Sequence, residues 1–235
     1  MALVFDIETI GENFEKIDEI TQANLTRWIK REAGDDEGKY NAMLKDLKEG
    51  LGFSPLTGEI VAIGVFDTEK NKGVVYYQAP DKEERETKEE NFVFKPMTEK
   101  EMLTNFWQGA KSYQEFVSFN GRSFDVPFIM MRSAVNKVKP TINLMTNRYL
   151  KSQSYLARHY DLLDLLTFYG AVRRKGNLHL YCRAFGIKSP KAEGITGDGV
   201  NRLFNEGEYL EIAQYNSWDL IATWELYKYW LEYYK

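Results

Sequence analysis

Cysteine is nearly absent from this chain: one residue, Cys182, stands in 235. That excludes an internal disulfide and a cysteine-based zinc site, and it suits a reducing compartment. Long apolar runs are missing too. Nothing approaches the roughly 18 apolar residues of a membrane span, so no membrane partner is expected. The first strand-like run begins at the second residue, so no secretory leader is expected and the cytoplasm is the expected compartment. Histidine occurs only twice, at 159 and 179. The net charge of −4 gives no whole-chain sign of a nucleic-acid binder.

What is present is ordinary for a globular protein: 43% hydrophobic and 28% charged residues. The length suits one domain spanning 1–235, with a single filled core or a core carrying a large insertion. Aromatics reach 14% and crowd the C-terminal end, where Trp218, Trp224, Tyr227, Tyr229, Trp230, Tyr233 and Tyr234 recur at the spacing of a helix and read mostly as core. Charge is unevenly spread. Residues 111–191 hold 14 Lys and Arg against 4 Asp and Glu, a local +10 that leaves −14 elsewhere. A basic central third is what a phosphate-tracking groove needs, whatever the sum.

Positions 2–9 alternate Leu3, Phe5 and Ile7 on one face with Val4, Asp6 and Glu8 on the other. Both faces read as buried until the two acids appear. Residues 11–58, charged and punctuated by glycine, read as an insertion between the first two strands, with helical periods near 14–31 and 40–48. GEIVAIGVFD (58–67) and KGVVYYQAP (72–80) read as a hairpin turned at TEKN. DKEERETKEEN (81–91) reads as a solvated charged excursion. Thr98 with Glu101 three residues on is a capping-box pattern opening a helix over 98–112. A short strand over 116–120 ends at Gly121, and 125–138 reads as the next helix, with Pro127 tolerated in its first turn. A strand end and helix follow over 158–170, then helical periods over 177–187, 197–207 and 208–234. Strands first and helices later indicate a mixed α/β sheet.

The acids at 6 and 8 are costly. On a strand they share a face, with Cα atoms about 6.6 Å apart. Two such charges about 4 Å apart repel by about 4 kcal/mol at an effective dielectric near 20, and lost hydration adds to that. Two readings fit this pair alone: a functional pair, or a strand that stops at Phe5 and leaves both acids in solvent. Asp125 alone reads as a helix cap. Tyr215 and Asp219 lie at i and i+4 on a helix and share one face, a spacing that also arises by chance.

Taken together and in this order, DIE (6–8), FNGRSFD (119–125) and YNSWD (215–219) resemble the three motifs of the DEDD superfamily of 3′→5′ exonucleases, in the subclass with Tyr in the third motif. The sequence is most similar to the proofreading exonuclease domain of family-B DNA polymerases, here in stand-alone form. LHLYCRAFGIKSP (178–190) adds to the likeness, which covers 1–10 and about 58–231 and leaves the 11–58 segment outside.

The resemblance implies an RNase H-like α/β fold: a mixed five-stranded sheet flanked by helices, with the second strand antiparallel and a mainly helical insertion between strands 1 and 2. It implies that Asp6, Glu8, Asp125 and Asp219 hold two divalent cations and that Tyr215 orients the attacking water. The implied reaction is hydrolysis of phosphodiester bonds at the 3′ end of single-stranded DNA, releasing nucleoside 5′-monophosphates. RNA is the alternative substrate, and a binding module without turnover the alternative role. An all-oxygen donor set suits Mg²⁺ or Mn²⁺. Asp6, central to the motif set, reads as the bridging ligand. Tyr215, with an ordinary pKa near 10, is a poor base at neutral pH.

His159, five residues before Asp164, imitates the sister subclass that uses His as its base. Only 39 residues separate Asp125 from Asp164, too few for the elements expected before a third motif. Asp161 and Asp164 then fall in the strand-to-helix segment beside the site. His179, between Leu178 and Leu180, reads as structural or substrate-facing. Asn120 and Arg122 read as contacts to the scissile phosphate or terminal base, with a turn role for Asn120 and Gly121 equally open. Arg173, Arg174 and Lys175 read as strand-backbone contacts or as a solvated basic turn. Ile10 and Phe14 read as core or as a wedge against terminal bases, and Cys182 as a buried, inert thiol. No feature of the sequence sets an oligomeric state.

Overall fold

The computed structural model describes residues 1–83, 85–189 and 199–235. Strand β1 (Ala2–Gly11) is its centre. Leu3, Phe5 and Ile7 enter one apolar layer with helices α3 (Glu99–Ala110) and α4 (Asp125–Val135). Ala2, Val4 and Ile10 enter a second layer with the long C-terminal helix α8 (Tyr209–Tyr233). A Phe as fully buried as Phe5 contributes roughly 1.5–3 kcal/mol by leaving water. The strand does not stop at Phe5: it continues through Asp6 and Glu8 to Gly11, paired along its length with β2 (Gly58–Asp67), with a register shift after Glu8, and over Ala2–Val4 with β6 (Glu115–Ser118).

The remaining strands are β3 (Lys72–Tyr77), β4 (Thr87–Glu89), β5 (Phe92–Pro96) and β7 (Arg158–Asp161), and the sheet order is β4-β5-β3-β2-β1-β6-β7. Its inner five strands, β3-β2-β1-β6-β7, with β2 antiparallel to its neighbours, are the arrangement expected of an RNase H-like fold. The sheet has seven strands, not five. The extra pair arises where a solvated excursion was expected: Thr87 faces Phe94 and Glu89 faces Phe92 across β4 and β5. Phe92 and Phe94 supply the buried alternation, and an edge strand tolerates the charges that masked it.

The hairpin turn forms as expected, with Asn71 in the left-handed region at φ 52°, but the strand expected over 72–80 ends at Tyr77. Thr98 and Glu101 exchange hydrogen bonds in a capping box that opens α3. Helix α4 stops at Val135, earlier than the pattern suggested, because Lys137 turns to φ 59°. Downstream, α5 (Leu162–Leu166) follows β7 directly, and α6 (Leu178–Phe185) is capped by Asn177 and ended by Gly186 at φ 70°. Helix α7 (Val200–Glu206) covers most of the 197–207 period, whose first two residues lie outside the described residues. The insertion folds as two helices, α1 (Glu19–Ala33) and α2 (Glu37–Gly50), capped by Asp18 and Asp36. It is anchored to the end of β1, where the Thr9 hydroxyl donates to the Gly52 carbonyl at 2.8 Å. Among the described residues no helix is long and apolar enough to cross a membrane.

Candidate active site

Asp6 and Glu8 project from the middle of β1 toward α8, on a backbone paired with β2 opposite Gly64 and Ala62. Helix α8 crosses this face and presents Asp219. Asp6, Glu8 and Asp219 offer oxygen atoms that all lie within 4.8 Å of one another. Asp125, the first residue of α4, closes the group from the β6 side. Its Oδ1 accepts the Ile7 amide proton at 3.1 Å, and its carboxyl lies close enough to Asp6 for their charges to repel. The four acids thus come from two strand positions and two helices, and rigid elements set their spacing. Asp6 and Asp219 keep some contact with solvent, while Glu8 and Asp125 have almost none.

Burial, then the charges of Asp125, Glu8 and Asp219, pushes the Asp6 carboxyl well above the ordinary range. Burial and Asp219 do the same to Glu8. Asp125 is pushed up to about 7, by burial first; the backbone amides it accepts from oppose this, and Asp161 and Asp219 add to it. A divalent cation would neutralise the ionised acids, and an all-carboxylate donor set is the kind that hard cations prefer. The donor set therefore fits Mg²⁺ or Mn²⁺.

Tyr215 lies one turn before Asp219 on α8, buried, with its hydroxyl hydrogen-bonded to the Asp219 carboxylate. Burial and the surrounding carboxylates hold its phenol protonated far above neutral pH. It is a hydrogen-bond donor here, not a base.

The residues expected to meet substrate are distributed differently. Asn120 turns at φ 65°, and its amide, with that of Arg122, donates to the two oxygens of Asp161 at 3.0 and 2.9 Å. Asp161 also caps α5 through the amides of Leu163 and Asp164. One carboxylate therefore ties the loop of the second motif to the end of β7. The Arg122 guanidinium reaches the carbonyls of Leu144 and Thr146, so its side chain anchors the loop after α4. Arg173 and Arg174 are exposed on the turn before α6.

His159 is fully enclosed, bonded to the Ser118 hydroxyl at 2.7 Å and packed against the Phe5 ring at a tilt of 41°. Burial, then the Arg122 charge, lowers its pKa to about 3, which leaves it uncharged and within the core. Asp164 is taken by a two-pronged ion pair with Arg148. His179 bonds to Ser189, Ile10 lies in the core, and Lys48 sits over the Phe14 ring. Cys182 is buried, and burial pushes its thiol up to about 11.

Two participants were not visible in the sequence. Asn216, between the motif residues on α8, donates from Nδ2 to Asp6 Oδ2 at 2.8 Å. Gly64 faces Asp6 across the β1–β2 register and leaves room for that amide. Only the pairing of β1 with β2 under α8 reveals either role.

The structure of the family B DNA polymerase from the hyperthermophilic archaeon Pyrobaculum calidifontis is similar to this one, with a TM-score of 0.59 and 16% identity over 98% of this chain and 24% of that chain. This chain thus spans about a quarter of that polymerase's length, and the likeness is one of fold. No curated protein matches the sequence. Residues 57–233, which carry Asp125, Tyr215 and Asp219, match the family of predicted 3′→5′ exonucleases related to the exonuclease domain of PolB, and the chain belongs to that family.

Proposed function

We propose that the protein is a metal-dependent 3′→5′ exonuclease that shortens single-stranded DNA from its 3′ end and releases nucleoside 5′-monophosphates. The observation that carries this reading is the convergence of Asp6, Glu8 and Asp219 within 4.8 Å, with Asp125 beside Asp6. Two divalent cations held by these acids would supply the positive charge that a phosphodiester transition state requires.

The chain's own residues do the rest. The β1 backbone fixes Asp6 and Glu8, and the Ile7 amide keeps Asp125 from swinging away. The Tyr215 hydroxyl, held protonated against Asp219, orients a water rather than deprotonating it. A 5′-labelled oligonucleotide incubated with Mg²⁺ or Mn²⁺ should give a ladder of shortened products, and the matching RNA should be cut more slowly. Absence of a ladder, or an unchanged ladder from Asp6→Ala, would sink the proposal, and preferential loss of RNA would reassign the substrate.

A further inference from the structure

Asn216 is fully buried beneath the cluster, and two features around it are unfavourable to the fold taken alone. Its Oδ1 has no hydrogen-bond donor among the described residues. A buried polar atom left so is a cost that an apolar side chain of equal volume would avoid. Opposite Asp6, Gly64 interrupts a strand otherwise rich in Val, Ile and Phe. A glycine there forgoes side-chain packing and costs backbone entropy. The two meet in one place: a Cβ on residue 64 would fall on Asn216 Oδ1 and come within 2.6 Å of Leu220 Cδ1. What they jointly permit is the 2.8 Å bond from Asn216 Nδ2 to Asp6 Oδ2, and they place the same amide where it favours the ionised form of Glu8.

We propose that Asn216 is the positioning residue of the cation site, orienting Asp6 and Glu8 through one amide, and that Gly64 is the gap that admits it. The inference rests on the metal-dependent reading above. With one oxygen of Asp6 held by the amide, the plane of the carboxylate is fixed and its other oxygen is left for a cation. Groups that hold ligating carboxylates in this way commonly change metal affinity or activity by 10–100-fold when removed.

The test is calorimetric titration with Mn²⁺ of the wild type, Asn216→Ala, Asn216→Leu, Gly64→Ala and the double variant Asn216→Ala/Gly64→Ala, each checked for folding by circular dichroism. Asn216→Leu keeps the volume and removes the donor. Gly64→Ala disturbs the same contact from β2 without replacing a residue of α8, so it decides the matter even if Asn216→Ala does not fold. Mn²⁺ binding should weaken by roughly 10–100-fold in both Asn216 variants. It should weaken in Gly64→Ala as well, and the double variant should be no worse than Asn216→Ala, because the new methyl then meets only the end of the Leu220 side chain, which can turn away. In cleavage assays the Mn²⁺ concentration for half-maximal rate should rise by the same factor, with a smaller change in rate at saturating Mn²⁺. A packing residue would not produce that split. Unchanged Mn²⁺ affinity in a folded Asn216→Leu or Gly64→Ala protein overturns the proposal. If the wild type binds Mn²⁺ with this pattern yet cuts no nucleic acid, the nuclease reading fails and the positioning role stands; if it binds none, both fail.

Discussion

The Asp125 carboxylate accepts the amide proton of Ile7 at 3.1 Å, joining residues 118 apart in the chain. Ile7 is the residue between Asp6 and Glu8, so the acid of the second motif is braced on the backbone of the first. The bond sets both the distance of α4 from β1 and the direction of one carboxylate.

Asparagine at 125 keeps an oxygen for that amide, and alanine does not. Asp125→Asn should therefore unfold within about 1 kcal/mol of the wild type, whereas Asp125→Ala should be a further ~1–3 kcal/mol less stable because the buried Ile7 N–H is left unpaired. Both should lose nuclease activity. Urea unfolding of the two variants side by side checks this, and equal stabilities would remove the brace.

The carboxylate cluster makes a prediction about protein without metal. Burial and mutual repulsion raise the energy of the ionised acids, so Asp6→Asn should melt higher than the wild type when both are in chelator at neutral pH. Added Mn²⁺ should reverse the order, stabilising the wild type by about 2.7 kcal/mol at 100 times its dissociation constant and the variant much less. Differential scanning fluorimetry with and without Mn²⁺ reads both effects.

Asp161 accepts from four backbone amides, those of Asn120, Arg122, Leu163 and Asp164. Asp161→Ala should release the loop between β6 and α4, lowering the cleavage rate about 10-fold or more through misplacement of Asp125. Hydrogen exchange should show the Asn120 and Arg122 amides losing protection before those of β1. Protection unchanged at both amides would mean the loop is held by other contacts.

Acid stability should depend on Asp67 at the end of β2. Burial pushes its carboxyl up, but the amides of Glu69 and Lys70, the Tyr113 hydroxyl at 2.8 Å and the Lys70 ammonium outweigh this and bring it down to about 2. An unfolded Asp titrates near pH 3.9. The folded state then binds fewer protons between these values, so the contribution is complete above about pH 4 and is lost as pH falls toward 2. Asp67→Asn should be about 1–2 kcal/mol less stable than wild type at pH 7, with the gap closing near pH 2. Denaturant unfolding at pH 7, 4 and 2.5 measures it, and a gap independent of pH would refute the assignment.

The four acids and Tyr215 were legible because each motif sits on an element whose period is known: i and i+2 on β1, i and i+4 on α8, and the first turn of α4. The flanking residues were not. Arg122 looks the same in sequence whether its guanidinium faces a phosphate or the carbonyls of Leu144 and Thr146. Asn216 and Gly64 acquire a role only through an Asp6–Gly64 register and a contact spanning 210 residues. The β4–β5 pair was hidden because a charge-rich stretch at a sheet margin has the composition of a loop, and only Phe92 and Phe94 mark it otherwise.

That margin has a consequence for how the molecule behaves in company. Strand β5 alone would present a row of unpaired amides beside two phenylalanines, a template for other chains to join. β4 covers it with three residues, two of them the charged Lys88 and Glu89, and Gln214 of α8 bonds to Glu89 and holds it down. A segment with the composition of a solvated loop thus shields the sheet from aggregation, and cutting it out to shorten the protein should cost solubility before it costs fold.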